Sequence, residues 1–89
     1  MQNLTSPKVV KELMTRHGAA FSKGLGQNFL VDRNILMKIV EAADIGQQDL
    51  VLEVGAGIGT LTRELASRSK LVVSVEIDKR LFPILDETL

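Results

Sequence analysis

Apolar residues follow two different periods along the chain, and the switch between them sets the order of elements. Val9, Val10, Leu13 and Met14 share one helical stripe, and Ser6-Pro7 ahead of them offers an N-cap and a proline at the first helical position. Gly18 is the expected end of that helix. Residues 18–31 show no clear period and carry Gly18, Gly24 and Gly26, so they read as irregular. Asp32 is a good cap for a second helix over about residues 33–44, with Ile35, Leu36, Ile39, Val40 and Ala43 as its buried face.

The period then changes. Leu50 to Val54 is a short apolar run bounded by polar residues and glycine, which is how a strand buried on both faces looks. Thr60 to Ser69 is expected to be helical with Leu61, Leu65 and Ala66 inward. Leu71 to Ile77, rich in valine, is the second strand. Strand, helix and strand within about 28 residues make one βαβ unit, so the strands should be parallel. Asp78 can cap a last helix. Pro83 lies too deep in it, because an interior proline loses a hydrogen bond and clashes with the preceding turn; a distorted first turn or a start nearer Phe82 is expected. The class is therefore α/β, with an incomplete sheet. Two parallel strands do not make a stable sheet, and Leu89 falls inside the last expected helix, which reads as a larger α/β protein truncated at its C-terminus.

Composition narrows the chemistry. Eighty-nine residues with 45% apolar and 25% charged side chains suit one small globular domain with a thin core. No cysteine and one histidine exclude a disulfide framework, a thiolate zinc site, a cysteine nucleophile and a histidine-rich metal site, so no metal is expected. No apolar run approaches the ~18 residues of a membrane span, and there is no secretory-type leader; a cytoplasmic location is the expectation. Net charge is zero but uneven. Residues 1–40 hold six basic and two acidic side chains, and residues 41–89 hold five basic and nine acidic ones. A basic arm ahead of an acidic unit is compatible with a nucleic-acid partner, and equally with two solvated faces. Lys8, Lys11, Arg16 and Lys23 are the candidates for phosphate contact. His17, near a helix end, reads as a solvent-facing or helix-terminal charge partner.

The chemistry concentrates in Glu53-Val54-Gly55-Ala56-Gly57-Ile58-Gly59-Thr60 and, 17 residues after Gly59, Glu76. Glycines between a strand and a helix let a ligand approach the backbone, and an acid at the end of the next strand can accept from ribose hydroxyls. A P-loop needs a lysine and a hydroxyl residue after the last glycine, but Thr60-Leu61 follow. A nicotinamide fingerprint needs glycine where Thr60 stands, which disfavours an oxidoreductase. An acid, one residue and then GxGxG is similar to the first motif of S-adenosylmethionine-dependent methyltransferases. That cofactor has no pyrophosphate, and its ammonium and sulfonium suit nearby acids. The alternative is a turn that serves only tight helix–strand packing.

Gly24-Leu25-Gly26-Gln27-Asn28-Phe29-Leu30 adds a glycine-rich loop with amide side chains. GQNFL, then VLEVGAGIGTLT, then VEID at these spacings closely resembles the ribosomal RNA adenine dimethyltransferase family, in particular the branch that modifies small-subunit RNA. The resemblance covers residues 20–89. Ala56 departs from the proline common in that branch, a mild change. The macrolide-resistance methyltransferases of large-subunit RNA share QNFL but usually carry a proline and a more polar glycine turn, where this chain has Ala56, Ile58 and Thr60.

The resemblance implies a Rossmann-like domain, seven-stranded and mostly parallel, of which this chain holds the first part. Residues 1–31 would be an N-terminal helix and a loop bordering the cofactor, and residues 32–89 the start of the methyltransferase domain. It implies that Gln27, Asn28 and Leu30 border the methionine and adenosine parts of S-adenosyl-L-methionine. Gly55 and Gly57 would give close approach, with Glu53 supporting the turn; Glu76 would bind the ribose and Ile77 would pack on the adenine. The reaction implied is double methylation of adenine N6 in small-subunit ribosomal RNA, or in an assembling 30S-type subunit. The family's Asn-Leu-Pro-aromatic motif, which holds the target base, does not occur in residues 1–89, so no catalytic residue is assigned and the 89 residues alone are expected to be inactive. A non-catalytic RNA-binding or ribosome-assembly module of the same fold is the competing reading.

Overall fold

The computed structural model describes residues 2–19 and 32–89. Helix α1 (Pro7–Arg16) is followed by α2 (Arg33–Ala43), β1 (Leu50–Val54), α3 (Thr60–Arg68), β2 (Leu71–Val75), one 3-10 turn (Lys79–Leu81) and α4 (Phe82–Thr88). Local chemistry sets most of the boundaries. The Ser6 hydroxyl accepts from the Val9 amide at 3.4 Å, and Pro7 opens α1. Gly18, at φ +65°, lies just past the helix end, in the left-handed region that glycine enters without steric penalty. Asp32 accepts from the Asn34 and Ile35 amides at 2.8 and 3.2 Å. The proline conflict is resolved as a break: Asp78 caps the 3-10 turn, and α4 starts afresh at Phe82 with Pro83 in its first turn, where no amide is needed.

β1 and β2 run parallel, in register from Leu50 opposite Leu71 to Val54 opposite Val75. Paired residues share a face. Val51, Glu53, Val72 and Ser74 face the α3 side. Leu50, Leu52, Val54, Leu71, Val73 and Val75 face the other way and are 47–80% exposed. The expectation that Leu50–Val54 is buried on both faces is thus corrected: among the described residues no element covers that second face. β2 also ends two residues early, at Val75, because the Glu76 side chain turns back onto the chain.

The helix faces need similar correction. In α2 only Leu36 and Val40 are buried; Ile35 (48% exposed), Ile39 (41%) and Ala43 are not. Ile39 and Ala43 instead flank a groove of about 550 Å³ along the outer edge of β1, with Leu61 and Leu65 opposite. In α3, Leu65 is buried and Leu61 half-buried, but Ala66 is exposed and Thr60 and Thr62 are buried. The Thr62 hydroxyl, one turn before Ala66 on the same face, donates to the Glu53 carboxylate under the sheet.

The densest core lies beside the sheet. Val10, Leu13 and Met14 of α1 meet Leu4, Ile58, Leu81 and Ile84, so the glycine turn drops its one large apolar residue between α1 and α4. Polar clasps surround this core. The half-buried Arg63 guanidinium donates to the Thr88 carbonyl at 2.8 Å, the Gln2 carbonyl at 2.6 Å and Gln2 Oε1 at 3.1 Å, joining α3, α4 and the N-terminal arm. Burial lowers its pKa from the usual arginine value. Glu87 on α4 accepts from Arg16 at 2.5 Å, from His17 at 2.9 Å and from Gln2. His17, read as solvent-facing or a helix-terminal charge partner, is thus in hydrogen-bond contact with Glu87 at the end of α1.

Two outcomes are expected. Arg16, then His17, hold the Glu87 carboxyl below its ordinary 4.5, at about 2. A depressed carboxylate contributes its stabilisation above the unfolded pKa and loses it as pH falls toward the folded one. The α1–α4 clasp should therefore survive at pH 4 and open near pH 2. Carboxyl-carbon NMR should place the Glu87 midpoint near 2, and Arg16→Ala should raise it. Second, a sheet face of six exposed aliphatic residues exceeds what monomers usually leave uncovered. Leu52→Ser with Val73→Ser should cut binding of an apolar dye to the 89-residue chain several-fold while the β1–β2 pairing persists.

Candidate functional site

The register of the sheet carries the end of β1 alongside the end of β2, and pairing continues into the turn. The Gly55 amide donates to the Val75 carbonyl at 2.6 Å and the Ala56 amide to the same oxygen at 3.3 Å. The chain then reverses through Gly55 (φ +82°), Gly57 (φ +62°) and Gly59 (φ +93°) into α3. This brings the Gly57 amide to 2.7 Å from Glu76 Oε1, across 19 residues of sequence. The other carboxylate oxygen, Oε2, accepts from the Asp78 amide at 2.9 Å. A carboxylate offers about four lone-pair directions. Two are taken by amides, which leaves acceptor capacity for a vicinal diol.

The glycines do different work. A Cβ on Gly55 would meet nothing within 4 Å, so a ligand can lie against this exposed backbone. A Cβ on Gly59 would meet Thr88 Oγ1 at 2.8 Å and the Leu89 side chain at 3.1 Å. Thr88 in turn donates to the Ile58 carbonyl at 2.8 Å. The third glycine thus fits the packing reading, and the first leaves the open backbone that the ligand reading needs.

Glu53 lies under the turn, 7% exposed, on the α3 side of the sheet. Its Oε1 accepts from Thr62 at 2.5 Å and from Ser74 at 2.7 Å, so one buried carboxylate joins β1, α3 and β2. Ser74 was legible in principle, since it is the register partner of Glu53. Thr62, Asp78 and Arg80 gave no signal in the pattern of apolar positions. Ile77 stands beside Glu76, 81% exposed, with its side chain available to a flat apolar ligand. Glu53, Gly55, Gly57, Glu76 and Ile77 therefore converge at the strand ends, where open α/β sheets place ligands. Gln27, Asn28 and Leu30 lie outside the described residues. Among those residues there is no cluster of metal-ligating side chains, and no helix is long and apolar enough to cross a membrane.

The arrangement suits a ribose-bearing ligand whose charge near the turn is not strongly anionic. Two carboxylates flank the glycines, and among the described residues no basic side chain hydrogen-bonds either of them. A pyrophosphate would meet Glu76 rather than a lysine.

A family model described as "Ribosomal RNA adenine dimethylase" matches residues 18–89. "Ribosomal RNA small subunit methyltransferase A" of Bacillus thuringiensis (strain Al Hakam) is 51% identical over all 89 residues, as is its namesake in Bacillus anthracis (strain CDC 684 / NRRL 3495). The chain spans 30% of the length of these curated relatives. Among solved structures, a dimethyladenosine transferase from Plasmodium falciparum superposes with a TM-score of 0.59 at 39% identity, over 63% of this chain and 20% of the other.

The two roles of glycine separate by substitution. Gly59→Ala should lower stability by about 2 kcal/mol or more, since its Cβ would press on the hydrogen-bonded Thr88 hydroxyl and the Leu89 side chain in addition to the left-handed penalty. Gly55→Ala should lose only the ~1–2 kcal/mol of the left-handed conformation. Equal losses in thermal melts would refute the separation.

Proposed function

The chain belongs to the ribosomal RNA adenine dimethylase family, and from that premise we propose that it is the cofactor-holding part of an S-adenosyl-L-methionine-dependent methyltransferase. The substrate proposed is small-subunit ribosomal RNA, methylated twice on adenine N6, in the cytoplasm. The name of the 51%-identical relatives supports the substrate, and the glycine turn supports the cofactor. The observation that carries the reading is the Glu76 carboxylate, fixed at 2.7 Å from the Gly57 amide beside the open backbone of Gly55.

The residues present fit that cofactor. Glu76 would accept from the ribose hydroxyls with the lone pairs its two amide partners leave free. Gly55 and Gly57 would let the ligand lie on the backbone. Ile77 would cover one face of the adenine, and Glu53 would hold the turn from beneath through Thr62 and Ser74. Gln27, Asn28 and Leu30 would border the ligand from the loop. In this division residues 1–31 supply the first helix and that loop, and residues 32–89 begin the methyltransferase domain.

When bound, the cofactor supplies an electrophilic methyl group on a sulfonium. Adenine N6 is a weak nucleophile, because its lone pair is delocalised into the ring, so rate must come from placing it in line with that methyl group. The base would also have to leave its stack. No residue described in this chain is placed to do either; its part is to fix the donor. For the RNA, Lys8 and Lys11 project from α1 as exposed cations, while Arg16 is engaged by Glu87 and Lys23 lies outside the described residues.

Calorimetry with S-adenosylhomocysteine tests the reading. The wild-type chain should bind it and not NAD. Glu76→Ala should weaken binding about 100-fold or more, since charge-assisted hydrogen bonds contribute about 1.5–3 kcal/mol each. Unchanged binding in Glu76→Ala, or binding of NAD instead, would overturn it.

A further inference from the structure

Asp78 and Arg80 follow Glu76 closely but have no place in the site as described so far. Asp78 is an acid only 6% exposed. Arg80 grips it as a fork: Nε lies 2.9 Å from Oδ1 and Nη2 lies 2.8 Å from Oδ2. The Arg80 amide also donates to Oδ1 at 3.0 Å. The Arg80 side chain is half exposed, so the fork closes over the buried acid from the solvent side. Arg80 holds the Asp78 carboxyl below the usual carboxylate range, so both partners stay charged.

Capping the 3-10 turn requires one carboxylate oxygen and one amide. The second oxygen and the guanidinium are surplus to that task. The Asp78 amide donates to Glu76 Oε2 at 2.9 Å, so what restrains Asp78 bears on Glu76 as well. A glutamate has three side-chain torsions, and its carboxylate stays on one line only where both oxygens are held. Gly57 holds one oxygen from the turn and Asp78 holds the other from the loop.

We propose that Asp78 and Arg80 are positioning residues that aim the Glu76 carboxylate, so that selectivity for a ribose diol over a 2′-deoxyribose depends on a guanidinium that touches neither sugar nor cofactor. The proposal rests on the ribose role of Glu76. It differs from a purely structural role in what it moves. Loss of a cap lowers stability and weakens all ligands equally. Loss of aim removes the preference between two ligands that differ by one hydroxyl.

The experiment compares the 89-residue wild-type chain with Arg80→Ala, Arg80→Lys and Asp78→Asn. Amide hydrogen exchange without ligand reads the aim directly. The Gly57 amide should exchange at least tenfold faster in Arg80→Ala, at conditions where α1 and α4 amides keep wild-type protection. Arg80→Lys retains the charge without the fork and should fall between; it also serves if Arg80→Ala does not fold. Unchanged Gly57 exchange in a folded variant overturns the proposal. Calorimetry then compares S-adenosylhomocysteine with its 2′-deoxy analogue. The wild-type preference for the ribose form should be at least tenfold and should shrink below threefold in Arg80→Ala. An undiminished preference in Arg80→Ala also overturns the proposal. A wild-type chain with no preference sinks the ribose assignment instead, and with it the selectivity part of the proposal.

Discussion

The hydrogen bond from the Gly57 amide to the Glu76 carboxylate joins two points that the chain keeps 19 residues apart. It forms only because β1 and β2 pair in parallel, with Val54 opposite Val75, so that turn and strand end emerge side by side. The crossover helix α3 enforces the same arrangement from below, through a buried glutamate that accepts from Thr62 on the helix and Ser74 on the neighbouring strand. A buried carboxylate without hydrogen bonds would be costly. With them, it ties three elements under the place where the backbone is most open.

The same turn faces two ways. Toward the strand ends, Gly55 leaves bare backbone. Toward the helices, Ile58 and Gly59 are filled in: Ile58 enters the α1–α4 core, and Gly59 receives Thr88 and Leu89. A ligand that lies on the turn therefore rests on a segment already clamped from behind. Arg63 and Glu87 extend that clamp to the N-terminal arm and to α1. The uncovered aliphatic face of the sheet shows the opposite condition. Helices α1 and α4 supply packing to the turn, and none of the described elements supplies it to Leu50, Leu52, Val54 and their partners.

Much of this was readable along the chain. Caps at Ser6 and Asp32, the parallel βαβ unit and the break before Pro83 all follow from local chemistry and period, and the structure contains each. Burial was less readable. A short apolar run says that a strand prefers to be covered, but not whether a covering layer is there, so Leu52 and Val54 were misjudged. In α3 the buried face kept Leu65 but lay one turn earlier than expected: Thr62, on the same face as Ala66, is buried against Glu53 while Ala66 is exposed. At the turn, the spacing of glycine and acid singles out Gly55, Gly57 and Glu76, and the structure brings Gly57 and Glu76 into contact. The Arg80–Asp78 fork was not legible, since Asp78 read only as a cap and an arginine two residues on looks like ordinary surface until its partner proves buried.

The central claim is that the glycine turn and Glu76 together hold a ribose-bearing methyl-donor cofactor. Amide and side-chain NMR of the isotopically labelled chain, titrated with S-adenosylhomocysteine, tests it most directly. The account predicts the largest shifts at Gly55, Gly57, Glu76 and Ile77, with ribose protons showing contacts to Glu76 and adenine protons to Ile77. Shifts centred instead on the Arg63–Gln2 side of α3, or on the open sheet face, with Glu76 unmoved, would contradict it.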